Sequence, residues 1–146
     1  MLFDLQPIKD KYMDEILSWK SQSNYSCYDT DKNETSLESL ISEGKTDFFV
    51  ALIDDVELAG FIECTFDEDE ILEIGCALMP EFVGKGLGFD FVSNCIEYLI
   101  EYYDYGQDHI ITVLKTKDIH ARKVFERVGF LLTDESEEWI ELSVNV

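Results

Sequence analysis

Basic residues are scarce in this sequence: 11 lysines and arginines stand against 32 aspartates and glutamates, for a formal net charge of −21. Such a surface repels phosphate backbones and anionic headgroups, which excludes nucleic acid and membrane surfaces as expected partners. Close cysteine pairs are missing too. Cys27, Cys64, Cys76 and Cys95 lie far apart, and none forms the short pair that zinc ribbons and redox motifs need, so no metal site is expected. Three of these thiols lie in apolar runs, where a reduced cysteine behaves as a small hydrophobe. Long apolar stretches are also lacking: runs such as residues 48–53 fall well short of the roughly 20 residues that span a bilayer. Nothing at the N-terminus resembles a charged and then apolar secretion signal, and the expected compartment is the cytoplasm. No repeat or long linker interrupts the chain. What remains is 146 residues, 46% of them hydrophobic, enough for a single domain over residues 1–146 with a genuine core. The acidic excess reads as a solvated, solubilising surface that can also attract a cationic acceptor such as an amine.

Hydrophobic patterning orders the elements. Residues 2–7 read as a short strand, and residues 9–20 place Tyr12, Met13, Ile16 and Leu17 on one helical face. Residues 21–33 have loop composition with Tyr25 and Tyr28 interspersed. Thr35 and Glu38 fit a capping box for a short second helix with Leu37, Leu40 and Ile41 on its apolar face, stopped by Gly44. Three strand-like runs follow, 47–53, 56–66 and 71–79, separated by Asp54-Asp55 and by the acidic group 67–70, which predicts an antiparallel meander. Val92, Cys95, Ile96, Leu99, Ile100 and Tyr103 then form the stripe of a long amphipathic helix, closed by Gly106. Residues 109–114 are a continuous apolar strand, read as buried on both faces and as parallel to its neighbour because a helix precedes it. Ala121, Val124, Phe125 and Val128 mark a further short helix capped by Gly129, and residues 130–144 supply one or two final strands.

The segment 79–88, Met-Pro-Glu-Phe-Val-Gly-Lys-Gly-Leu-Gly, joins a strand end to the long helix. Its alternate glycines, Gly84, Gly86 and Gly88, let backbone amides approach a ligand closely, and the helix dipole behind them favours an anion such as a pyrophosphate. A nucleoside-triphosphate P-loop requires Ser or Thr after the lysine, but Gly86 follows Lys85. A dinucleotide turn requires its third glycine one residue later and a preceding βαβ strand rather than a meander.

The local pattern instead resembles the acyl-CoA loop of the GNAT superfamily of N-acetyltransferases. Residues 73–88 are similar to that family's fourth strand and pyrophosphate loop, with Val83, Gly86 and Gly88 in the signature positions and Val83 where the family usually carries Arg or Gln. Residues 118–130, Asp-Ile-His-Ala-Arg-Lys-Val-Phe-Glu-Arg-Val-Gly-Phe, resemble a second family element, with Asp118 in place of the usual Asn. The resemblance implies an α+β fold, a three-layer α/β sandwich: a mixed, mostly antiparallel sheet flanked by about four helices, with strands four and five parallel and splayed. It implies acetyl-CoA as co-substrate and no metal. Ala77, Leu78 and Met79 would hold the pantetheine arm, Val83, Gly84, Lys85, Gly86, Leu87, Gly88 and Phe89 the pyrophosphate, and Asp118, Ala121, Arg122 and Phe125 would complete the cofactor site. Lys85, Arg122 and Lys123 are cations that could meet CoA phosphates or solvent.

By the same resemblance the acetyl group passes by direct attack of a primary amine, on a small molecule or peptide, in a ternary complex. Glu73 and Glu63 are the candidate general bases, since a carboxylate beside a water-excluding cleft can have its pKa raised toward working pH; His120 is a further one. Trp19, Tyr25 and Tyr28 are candidates for holding an ammonium group. Many family members protonate the leaving thiolate with a tyrosine, but the matching residue is Phe125. The thiolate then leaves unaided or takes its proton from water, Tyr103 or Cys76 substitutes, or the protein is a catalytically silent acyl-CoA-binding sensor or partner subunit. No heptads or exposed patch specify an oligomer, and a homodimer is left open.

Overall fold

A computed structural model of the chain describes residues 3–9, 11–16, 46–107 and 109–146. Its strands are β1 (Asp4–Pro7), β2 (Thr46–Ile53), β3 (Glu57–Phe66), β4 (Leu72–Leu78), β5 (His109–Lys115), β6 (Leu131–Glu135) and β7 (Trp139–Asn145). The described helices are α1 (residues 11–16), α2 (Gly88–Tyr103) and α3 (Ile119–Val128), with a 3-10 turn at Pro80–Phe82. The short helix expected around residues 35–43 lies outside the described residues. The strands form one sheet in the order β1-β2-β3-β4-β5-β7-β6. Every neighbouring pair is antiparallel except β4 and β5, which run parallel.

The meander is set by its turns. Asp54 and Asp55 adopt φ of 54° and 62°, the left-handed pair whose twist suits a tight hairpin between right-twisted strands. Between β3 and β4, Oδ1 of Asp67 accepts from the N–H groups of Asp69 at 2.8 Å and Ile71 at 3.0 Å, an Asx arrangement that fixes the register. As a result Glu63 lies opposite Gly75, and Thr65 opposite Glu73.

Alternation along the strands feeds two cores. On one face Ile62, Cys64, Leu72, Ile74, Cys76 and Leu78 pack with α2 residues Phe91, Val92, Cys95, Ile96 and Leu99 and with Phe125 of α3. On the other, Phe61, Ala77 and Met79 pack with Phe48, Val50 and the α1 residues Tyr12 and Ile16. Helices therefore cover both faces in three layers. Each large apolar side chain so buried contributes about 1.5–3 kcal/mol.

Two sequence expectations are corrected. Asp104, in the left-handed region at φ 49° and ψ 51°, ends α2 through its N–H bonds to Glu101 and Ile100; Gly106 lies beyond the end, because an aspartate tolerates this conformation and closes the helix first. And β5 alternates buried with half-buried residues rather than being buried on both faces. The helix before it permits the parallel step, but β4 and β5 pair only at Leu72↔Ile110 and Glu73↔Ile111, while β7 covers the whole other edge of β5.

Candidate functional site

Beyond Glu73 and Ile111, β4 and β5 part. At the point of divergence the fully buried Thr112 donates its hydroxyl to the Ile74 carbonyl at 2.8 Å, satisfying an acceptor that has lost its ladder partner. The last residues of β4 keep their pairing with β3 and turn a free edge to the gap. A cleft of about 340 Å³ opens there. Its walls are Cys76 and Leu78 of β4, loop residues 82–84, 86 and 87, the first turn of α2, and the α3 side carrying Asp118, His120, Ala121, Val124, Phe125 and Arg127.

The loop supplies the floor. Gly84 and Gly86 hold φ of 78° and 76°, conformations in which a side chain is strained. The first α-helical bond of α2 is from Phe91 N–H to Leu87 C=O at 2.9 Å, so the N–H groups of Gly88 and Phe89, at the very start of the helix, have no carbonyl in the preceding turn. No side chain caps this helix end. The third glycine has a different purpose: a Cβ on Gly88 would stand 2.9 Å from Cγ2 of Val124, so its absence lets α3 close against α2. An uncapped helix mouth behind a glycine loop fits a diphosphate, and the apolar walls with a free strand edge fit a pantetheine arm.

Of the residues expected to hold the cofactor, Leu78, Val83, Gly84, Gly86, Leu87, Gly88, Phe89, Asp118, Ala121 and Phe125 line this cleft. Ala77 and Met79 send their side chains into the opposite core, and Met79 spends its main chain on Ala59 C=O and Phe82 N–H, so the main-chain groups that face the gap are those of Cys76 and Leu78, in step with Ile74. The Lys85 ammonium lies 5.9 Å from the Phe82 ring centroid, and Arg122 pairs with Glu126 at 3.5 Å; neither lines the cleft. Asp118 caps α3, accepting from Ala121 N–H at 3.0 Å. Phe125 is buried, with its ring edge-on to Phe130 at 5.0 Å. Trp19, Tyr25 and Tyr28 lie outside the described residues.

Cys76, Phe82, Phe91, Val92, Val124 and Arg127 also line the cleft, and sequence reasoning did not assign them there as binding residues. A signal existed for two: Ala121, Val124 and Arg127 are spaced i, i+3, i+6, one stripe of α3.

Glu73 and Glu63 do not line the cleft; strand alternation puts both on the other sheet face, roughly 7–8 Å apart as diagonal neighbours across β3 and β4. Gly75, which has no side chain, lies opposite Glu63. One carboxylate oxygen of Glu63 is buried. Desolvation first, then repulsion from Glu141 and Asp67, raises the Glu73 pKa above the usual carboxylate value, although the side chain keeps contact with solvent. Of the two substitute acids, Cys76 has its thiol held well above the ordinary pKa by a hydrogen bond with Cys95 and then by burial. Tyr103 is elsewhere, at the far end of α2, donating to Asp47 at 2.5 Å, and desolvation foremost drives its pKa up. Among the described residues no cluster of His, Cys, Asp or Glu is suited to a metal ion, and no helix is long and apolar enough to cross a membrane.

A splayed parallel pair feeding a glycine loop and an open helix mouth forms a cleft that fits an anion with an extended arm. The sequence model of the Acetyltransferase (GNAT) family matches residues 13–130, and the chain belongs to that family. It is an acyl-CoA-dependent acetyltransferase with acetyl-CoA as its co-substrate. Solved structures similar to it include the spermidine N-acetyltransferase of Vibrio cholerae in complex with CoA and spermine, at 16% identity and TM-score 0.78, covering 98% of this chain and 95% of that one. The N-acetyltransferase PseH of Campylobacter jejuni in complex with acetyl coenzyme A is similar at 17% identity and TM-score 0.73, covering 99% of both chains. At such identities the likeness speaks for the fold. No curated relative matches the sequence significantly.

Proposed function

We propose that this protein transfers the acetyl group of acetyl-CoA to a primary amine of a small cationic acceptor, by direct attack in a ternary complex. The observation that carries the reading is the arrangement around the β4–β5 gap: the cofactor cleft lies on the α2–α3 side, and Glu63 and Glu73 stand on the opposite face beside the point of divergence. An amine arriving on the carboxylate face meets the thioester through the gap. Acetyl-CoA supplies an activated carbonyl. Glu73 takes the proton from the attacking nitrogen, its raised pKa making it a stronger base than an ordinary carboxylate. A main-chain N–H on the free β4 edge donates to the carbonyl oxygen. As the new C–N bond forms and the C–S bond breaks, the CoA sulfur departs with the electron pair and is protonated from water, since Phe125 has no proton to give. Positioning in the cleft carries much of the rate enhancement.

Glu63, Glu73 and Glu141 share this face by register, which favours acceptors with more than one positive charge; spermine occupies the similar Vibrio enzyme. Thiol release with acetyl-CoA across polyamines, simple amines, amino acids and peptides tests the reading. Turnover strongest on polyamines, and lost in Glu73→Gln, is the expected result. Phe125 also favours a second reading, a silent acyl-CoA sensor, for which CoA would raise the melting temperature while no amine released thiol.

A further inference from the structure

Besides the buried Cys76 thiol, Asp118, His120 and Arg127 are the ionisable side chains on the cleft wall among the described residues. Asp118 is committed to capping α3. Arg127 is exposed, its guanidinium carbon 5.1 Å from the Phe89 ring centroid, and it forms no ion pair with a described carboxylate, unlike Arg122 on the same helix, which is tied to Glu126. The loop itself brings little charge, because Val83 stands at the signature position and Lys85 turns over Phe82. The stripe Ala121–Val124–Arg127 fixes the order along the wall: Val124 abuts Gly88 at the helix mouth, and one turn further Arg127 reaches Phe89, just past it. Arg127 and Phe89 therefore stand beside the mouth that fits the diphosphate.

We propose that Arg127, held over Phe89, binds the ribose 3′-phosphate of CoA; the proposal rests on the acetyl-CoA cleft described above. A guanidinium presents a planar fork of N–H donors that matches a phosphate's oxygens, and stacking on an aromatic ring holds that fork in place before the ligand arrives. The main-chain loop serves the diphosphate, and the remaining dianion of the nucleotide falls to the side chain.

Titration calorimetry with CoA and with 3′-dephospho-CoA tests this on the full chain, its Arg127→Met and Arg127→Lys variants, with unliganded melting temperatures as the folding control. The expected result is a preference of about tenfold or more for CoA in the wild type, abolished in Arg127→Met and partly kept in Arg127→Lys. Affinity for 3′-dephospho-CoA should stay unchanged. Equal weakening of both ligands in Arg127→Met overturns the proposal by placing the arginine on the diphosphate, and so does a wild type with no preference. A wild type that binds neither ligand removes the cleft assignment itself.

Discussion

The two sides of the β4–β5 gap are built by different means. On the cofactor side the apparatus is local in sequence: residues within 82–89 and one stripe of α3, offering main-chain donors, apolar walls and a single arginine. On the carboxylate side Glu63, Glu73 and Glu141 come from three strands and meet only through register. Main-chain amides cannot be altered by a side-chain change unless it distorts the backbone, whereas each carboxylate can be removed alone. The cofactor side should therefore fail through geometry and the carboxylate side through charge.

The sharpest separation is Glu73→Gln, which should lower kcat by roughly 10²–10⁴-fold with CoA affinity intact by calorimetry; Glu63→Gln should act in the same direction but less. Full turnover in both variants would remove the base assignment. Next comes Gly88→Val, whose branched side chain would push against Val124, already 2.9 Å from a Cβ at this position. Overpacking of this kind costs about 1–3 kcal/mol, and CoA affinity should drop about 10–100-fold, visible as lost ligand-induced stabilisation. A smaller effect is expected for Thr112→Val, which keeps the volume but removes the bond to Ile74: about 1 kcal/mol, or a melting temperature lower by roughly 2–4 °C. If the hydroxyl pins the strand divergence, the variant also binds CoA more weakly.

The smallest change concerns pH. A base works only when deprotonated, so the rate falls as pH drops through the raised Glu73 pKa. Repulsion from Glu141 contributes to that rise, and Glu141→Gln should move the acid limb of the kcat profile to lower pH by less than about one unit. An unmoved limb would detach Glu73 from the profile.

Much of the fold was legible because periodicity is a local property. The α2 stripe from Val92 to Leu99 is buried as its spacing requires, and the breaks at Asp54-Asp55 and at residues 67–70 are turns. The exposed strand β6 was harder to separate from its surroundings, since all five of its residues are solvent-facing and give no alternation to read. Gly106 was the conspicuous helix stop, yet the chain ended the helix on Asp104; composition ranks the candidates, and only the packed chain selects one. Arg127 escaped because cations on a short helix look alike until a neighbouring element shows which stripe faces inward.

By itself, then, the sequence determined the order of strands and helices, the glycine loop before α2 and the family to which these belong, because each depends on residues close together along the chain. Tertiary structure alone decided where β4 and β5 part, that Glu63 and Glu73 share a face with Gly75, and that Arg127 stands over Phe89. Those relations join residues whose proximity is set by register and helix packing, and no local pattern encodes either.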